Sequence, residues 1–148
     1  MKGHFKLHLM IGFVLLSALV VLAAAASYGR DIKGEFAQYS PKQQKWLSDR
    51  LIPGGDYKGT RCCGVADGTQ AEEKTQGDQY IVTFEACFLP GNYLPPICRI
   101  KGPMLVPHEV VLDGPNEVGV PVVWYGWVNW DGKDGDIVIK CFAPGPGI

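Results

Sequence analysis

Five cysteines, all of them behind an N-terminal apolar run, constrain this 148-residue chain more than any other feature. Lys2 and Lys6 make a basic start, Leu7 to Ala26 carries no formal charge, and the run leaves through Ala23-Ala24-Ala25-Ala26-Ser27. A basic start, a greasy middle and a small-residue exit are the layout of an export signal. Export would deliver every cysteine to a compartment where disulfides persist, and small exported domains use such bonds to supplement a limited core. Residues 1–26 are therefore expected to be a signal peptide. Because residues 7–26 approach the length that spans a bilayer, a retained inner-membrane anchor is the alternative. No cysteine stands at the exit, which speaks against lipid attachment there.

Behind the leader stand about 120 residues, the size of one domain. Without Lys2 and Lys6 this part carries 12 basic against 15 acidic side chains, a net of about −3. Its Lys and Arg are scattered rather than gathered in a stripe, so nucleic acid is not an expected partner. Glycine (19) and proline (11) are frequent, which suits short strands and tight turns. The expected organisation is a flexible spacer over residues 27–39 and a single β-rich domain over residues 40–148.

Ser40-Pro41-Lys42-Gln43 reads as a helix start: Ser40 can cap, Pro41 suits the first turn and Gln43 completes a capping box. Trp46, Leu47, Leu51 and Ile52 would form its buried stripe, with Pro53-Gly54-Gly55 as the stop. The apolar period then becomes two. Tyr80 to Phe88 reads as a half-buried strand, Val120 to Val128 as a central strand apolar on both faces, and Asp136 to Phe142 as a last strand. Met104 to Val106 and Val110 to Leu112 are short apolar pieces broken by Pro107. Gln70 to Gln79 reads as an exposed polar loop, and Trp130 to Gly135 as a turn. A helix ahead of turn-linked strands predicts a mainly β, small α+β fold: an antiparallel sheet or partly open small barrel with one N-terminal helix, stabilised by disulfides.

An odd number of cysteines leaves one thiol over. Cys87 and Cys98 flank a Pro-rich segment and are expected to bridge its neck. Cys62 and Cys63 are adjacent; in an extended segment their side chains point to opposite faces. Cys63 shares parity with Val65, and Cys141 with Ile137 and Ile139, so parity favours Cys63–Cys141, with Cys62–Cys141 a close alternative. Cys62 is then the candidate free or reactive thiol, although the pair lacks the C-x-x-C spacing of thioredoxin-like sites. The cysteine spacings match no zinc finger or ribbon, and no metal or cofactor is expected.

His108-Glu109 lacks a visible third partner for acid–base chemistry and reads as a turn after Pro107. Asp131, Asp134 and Asp136 do not follow the order of a calcium loop. Trp124, Tyr125, Trp127 and Trp130 are the densest aromatic cluster. Trp124 reads as core. Tyr125 and Trp127 lie on the opposite face and, with Trp130, are a candidate ligand surface if that face is open and simply core if it is covered.

Trp46-Leu47, Cys62-Cys63-Gly64-Val65-Ala66-Asp67-Gly68, Val106-Pro107-His108-Glu109-Val110-Val111, Val122-Val123-Trp124 and Ile139-Lys140-Cys141-Phe142-Ala143-Pro144-Gly145 together resemble a family of small, exported, functionally uncharacterised proteins of Gram-negative bacteria. The shared pattern is a Trp-containing helix, C-C-x-x-A-D-G, V-P-x-E-x-V, V-V-W and a terminal I-x-C-F-x-P-G, spanning Trp46 to Gly145. The resemblance implies that Cys62, Cys63 and Cys141 are the family set, and that Cys87 and Cys98 belong to a local addition over Ala86 to Arg99. It carries no activity to transfer. The expected function is a non-enzymatic periplasmic or secreted module binding an envelope protein or cell-wall component. A thiol-active protein using Cys62 or Cys63 and a membrane-anchored accessory protein are the alternatives.

Overall fold

The computed structural model describes residues 31–65, 67–89, 95–128 and 135–146. The leader, Trp130, Asp131 and Asp134 lie outside them, as does most of the expected turn before Gly135. Helix α1 spans Pro41–Asp49 and a single helical turn, α2, spans Cys62–Val65. Strands β1 (Asp67–Gln76), β2 (Gln79–Phe88), β3 (Ile97–Leu105), β4 (Val122–Val128) and β5 (Asp136–Ala143) form one antiparallel, open sheet in the order β3-β2-β1-β4-β5. The mainly β fold expected from the sequence is thus present.

Helix α1 begins as its sequence dictates. The Ser40 hydroxyl accepts the Gln43 N–H and the Gln43 side chain accepts the Ser40 N–H, a reciprocal capping box, with Pro41 in the first turn. The helix stops earlier than its apolar stripe suggests. After Asp49 the chain is extended, and Ile52 N–H to Thr60 O (2.8 Å) and Cys62 N–H to Arg50 O (2.8 Å) fold residues 50–62 into a small hairpin. Extended backbone points neighbours in opposite directions, so Ile52 is buried while Leu51 is 51% exposed.

The polar stretch expected as a loop over Gln70 to Gln79 is instead most of β1, the middle strand. Only its first residues, Asp67 to Thr69, are buried, while its far half is largely exposed and can be polar. The turn Gly77-Asp78 joins it to β2, with Gly77 at φ 65°, the left-handed conformation that a two-residue hairpin requires. β1 divides its partners. Ala71 to Gln76 pairs with β2, whereas Asp67 to Gln70 pairs with β4. The end of β2 beyond Phe84 therefore runs without β1 beside it, and a fork opens between them.

Apolar side chains cover both faces of the sheet. On one, Leu47 of α1, Ile52, Cys62 and Val118 pack against Val122, Trp124, Cys141 and Ala143. On the other, Val82, Phe84 and Ala86 of β2 meet Val123, Tyr125, Ile139 and Phe142 of β4 and β5. The sheet curls enough to bring Phe84 and Tyr125 to 5.4 Å and Tyr80 and Phe142 to 5.2 Å between ring centroids. After β3 the chain crosses this curl. Val106 N–H bonds Tyr80 O, a 3₁₀ turn covers His108–Val110, and Leu112 N–H bonds Phe142 O. His108 and Glu109 are exposed on that turn.

Residues 31–39, expected as a mobile spacer, pack onto the fold. The Asp31 carboxylate accepts the N–H groups of Glu35 (2.9 Å) and Phe36 (2.7 Å), closing a turn. Phe36 then lies against the backbone of Gly68, where a Cβ would stand 2.9 Å from its ring. The absence of a side chain at Gly68 is what admits the segment.

Candidate functional site

Two places gather the chemistry-bearing residues. The first is the sulfur cluster beneath α1. Cys62 is bonded to Cys141, with Cα atoms 6.0 Å apart, and Cys63 is the free cysteine. This overturns the favoured Cys63–Cys141 pairing and the reading of Cys62 as the free or reactive thiol. Both parity arguments fail for a local reason. Cys62 and Cys63 sit in a helical turn, where side chains do not alternate. In β5, Trp124 faces Cys141 but Tyr125 faces Ile139, so Lys140 is an extra residue in the ladder. Such a bulge puts Cys141 on the opposite face from Ile139.

The Cys63 thiol is half-buried and donates to the Ser48 carbonyl at 3.4 Å. Burial pushes its pKa up, only partly offset by backbone hydrogen bonding and by Arg61. A thiol that holds its proton is a poor nucleophile at neutral pH.

The second place is the fork. Cys87 and Cys98 face each other across β2 and β3 and form the expected disulfide. The Cys87 backbone, deprived of β1, is satisfied by side chains. Its N–H donates to the Tyr125 hydroxyl (2.7 Å), which donates to the Cys87 carbonyl (3.1 Å), and Trp127 Nε1 donates to the same carbonyl (3.2 Å). Tyr125 is 1% exposed, and burial pushes its pKa up to about 12. The proposed aromatic ligand surface is therefore not open: Tyr125 is core, and Trp127 is half-buried between Phe88 and Lys101.

The same fork holds residues that no sequence motif singles out. Lys33 Nζ bridges Glu35 (2.5 Å) and Glu85 (3.0 Å) and reaches Thr69 Oγ1 at 3.4 Å. Glu35 accepts the Gln70 N–H (2.9 Å) and the Thr69 hydroxyl (3.1 Å). Burial opposes the Lys33 charge, but hydrogen bonds and proximity to Glu35 and Glu85 outweigh it and hold its pKa above the ordinary value. Glu85, Cys87 and Cys98 bring three potential ligand atoms within 4.8 Å of one another. With both sulfurs in a disulfide and Glu85 on Lys33, these groups are engaged with one another rather than poised for a metal. The only sequence hint of the fork is Lys33-Gly34-Glu35 in a stretch with two glycines, which also describes a linker.

The fold and these two sites define a small, mainly β protein stapled twice by sulfur, consistent with an oxidising compartment outside the cytoplasm. Among the described residues no helix is long and apolar enough to cross a membrane. No family model, no curated protein and no solved structure matches the chain.

Proposed function

We propose that the protein is an exported, periplasmic or secreted, non-enzymatic binding or structural module that engages a component of the cell envelope, its first 26 residues serving as the export signal. The observation that carries this reading is the pair of disulfides, Cys62–Cys141 and Cys87–Cys98, in a chain with an export-type leader. The engagement of the candidate chemical groups supports it further. Four cysteines are bonded, the fifth is a proton-holding thiol, and the phenol of Tyr125 is committed to the Cys87 backbone. The motif resemblance to small exported proteins agrees with it.

The test is intact mass and thiol counting on the protein recovered from the envelope fraction. Loss of the leader, two disulfides and one thiol titrating after unfolding is the expected result. A leader still attached would replace the soluble module by a membrane-anchored one, and five thiols in a cytosolic protein would overturn the proposal.

A further inference from the structure

The hairpin of residues 50–62 brings exposed apolar and cationic side chains together, as Arg99 and Ile100 also do on the edge strand β3. Leu51 is 51% and Tyr57 46% exposed, although the hairpin is fastened at its base by Cys62–Cys141. Lys140 lies 3.9 Å over the Tyr57 ring and Arg50 4.7 Å over that of Trp46. With Lys45, Lys58 and Arg61 this makes five cations. The opposing carboxylates are Asp49, Asp56 and, at the margin where Gly54 touches it, Glu109. Asp49 is already held by Lys45 at 2.5 Å. The excess is positive in a chain whose net charge is −1.

We infer that this hairpin docks on an anionic phospholipid surface, with Leu51 and Tyr57 entering the headgroup layer and Lys58, Arg61 and Lys140 facing the lipid phosphates. Basic residues among exposed aliphatic and aromatic ones are what an interfacial contact needs. The leader supplies the reason to choose a bilayer over other anions. Its apolar run ends at Ala26 and the packed segment starts at Asp31, so at most about 17 Å of extended chain separates them. A leader inserted in a membrane thus holds the domain within that reach of it. The inference rests on the reading of the chain as an envelope-binding module and names its partner.

The test is sedimentation of the envelope-recovered protein with phosphatidylglycerol–phosphatidylcholine vesicles, compared with phosphatidylcholine alone and with soluble polyphosphate. Binding is expected to require the anionic lipid and to weaken with salt. Lys58→Gln with Arg61→Gln should lower it about thirtyfold, at about fivefold per charge. The same charge change at exposed Lys74 and Arg99 should lower it much less. Lys58→Gln alone, in an exposed loop, serves if the double variant fails to fold. Equal binding to both vesicle types, equal loss in the Lys74 and Arg99 variant, or polyphosphate binding as tight as vesicle binding would each overturn the inference. A cytosolic protein with five thiols would overturn the parent reading alone, since vesicle binding does not depend on where the chain resides.

Discussion

Tyr125 shows how much one side chain can carry here. Its hydroxyl replaces the strand partner that Cys87 lacks, both accepting and donating at the same residue. Tyr125→Phe leaves a buried N–H and weakens the hold on the carbonyl, and should cost about 1–3 kcal/mol at pH 7 in denaturant unfolding. The phenol also sets an alkaline limit. It ionises near 10 in the unfolded chain and at about 12 in the folded one. Below pH 10 both states keep the proton. Between pH 10 and 12 only the unfolded state releases it, so stability falls there by up to about 2–3 kcal/mol. Unfolding curves at pH 7 and 11.5 should show this loss, and a smaller one in Tyr125→Phe. The adjacent cysteines make opposite predictions. Cys63→Ser keeps a hydroxyl to donate to Ser48 and should change stability by less than about 1 kcal/mol. Cys62→Ser opens the long loop and should expose two thiols on unfolding, Cys63 and Cys141, where the wild type exposes one.

At the scale of elements, the two disulfides close loops of very different length. Cys62–Cys141 spans a separation of 79 residues and Cys87–Cys98 one of 11. In the chain-entropy account these amount to about 4.5 and about 3 kcal/mol. The Cys62→Ser, Cys141→Ser double variant should therefore melt well below the Cys87→Ser, Cys98→Ser variant in calorimetry. The latter should mainly loosen the fork. The packed lead segment is an element too. Glu35→Ala removes the acceptor for Gln70 N–H and one of the two carboxylates on Lys33. Its expected cost is about 1–3 kcal/mol, with faster amide exchange at Gln70 as the local readout.

For the whole molecule, four of the five shifted ionisations among the described residues move the same way. Lys33, Tyr39, Cys63 and Tyr125 all hold their protons more tightly when folded, and only Asp49, beside Lys45, is shifted down. Groups with raised values stabilise below their unfolded pKa and cease to do so as pH climbs through the folded one. A stability profile that is broad on the acid side and drops above about pH 9 is the expected result. Strong reductant at pH 7 should lower the melting temperature sharply, because the two disulfides together approach the total stability of a domain this size, about 5–15 kcal/mol.

Local physics made part of this legible from the residues alone. Ser40, Pro41 and Gln43 lie within four positions, so their capping box needs nothing from the rest of the chain. The alternation in β2 and the two-faced apolar run of β4 follow from the two-residue period of a strand. The expectation of export, by contrast, rests on the order of charges and apolar residues in residues 1–26 alone. What distant groups supply was not legible. The polar middle strand could be recognised only through its partners, and residues 31–39 look like a linker until the fork between β1 and β2 exists to receive Lys33 and Glu35. The choice of Cys62 over Cys63 turned on one helical turn and one extra residue at Lys140, each of which reverses a side chain's direction. A strand's period can be read along the chain, but a bulge or a fork arises from the pairing of remote segments, and only the assembled sheet decides where it falls.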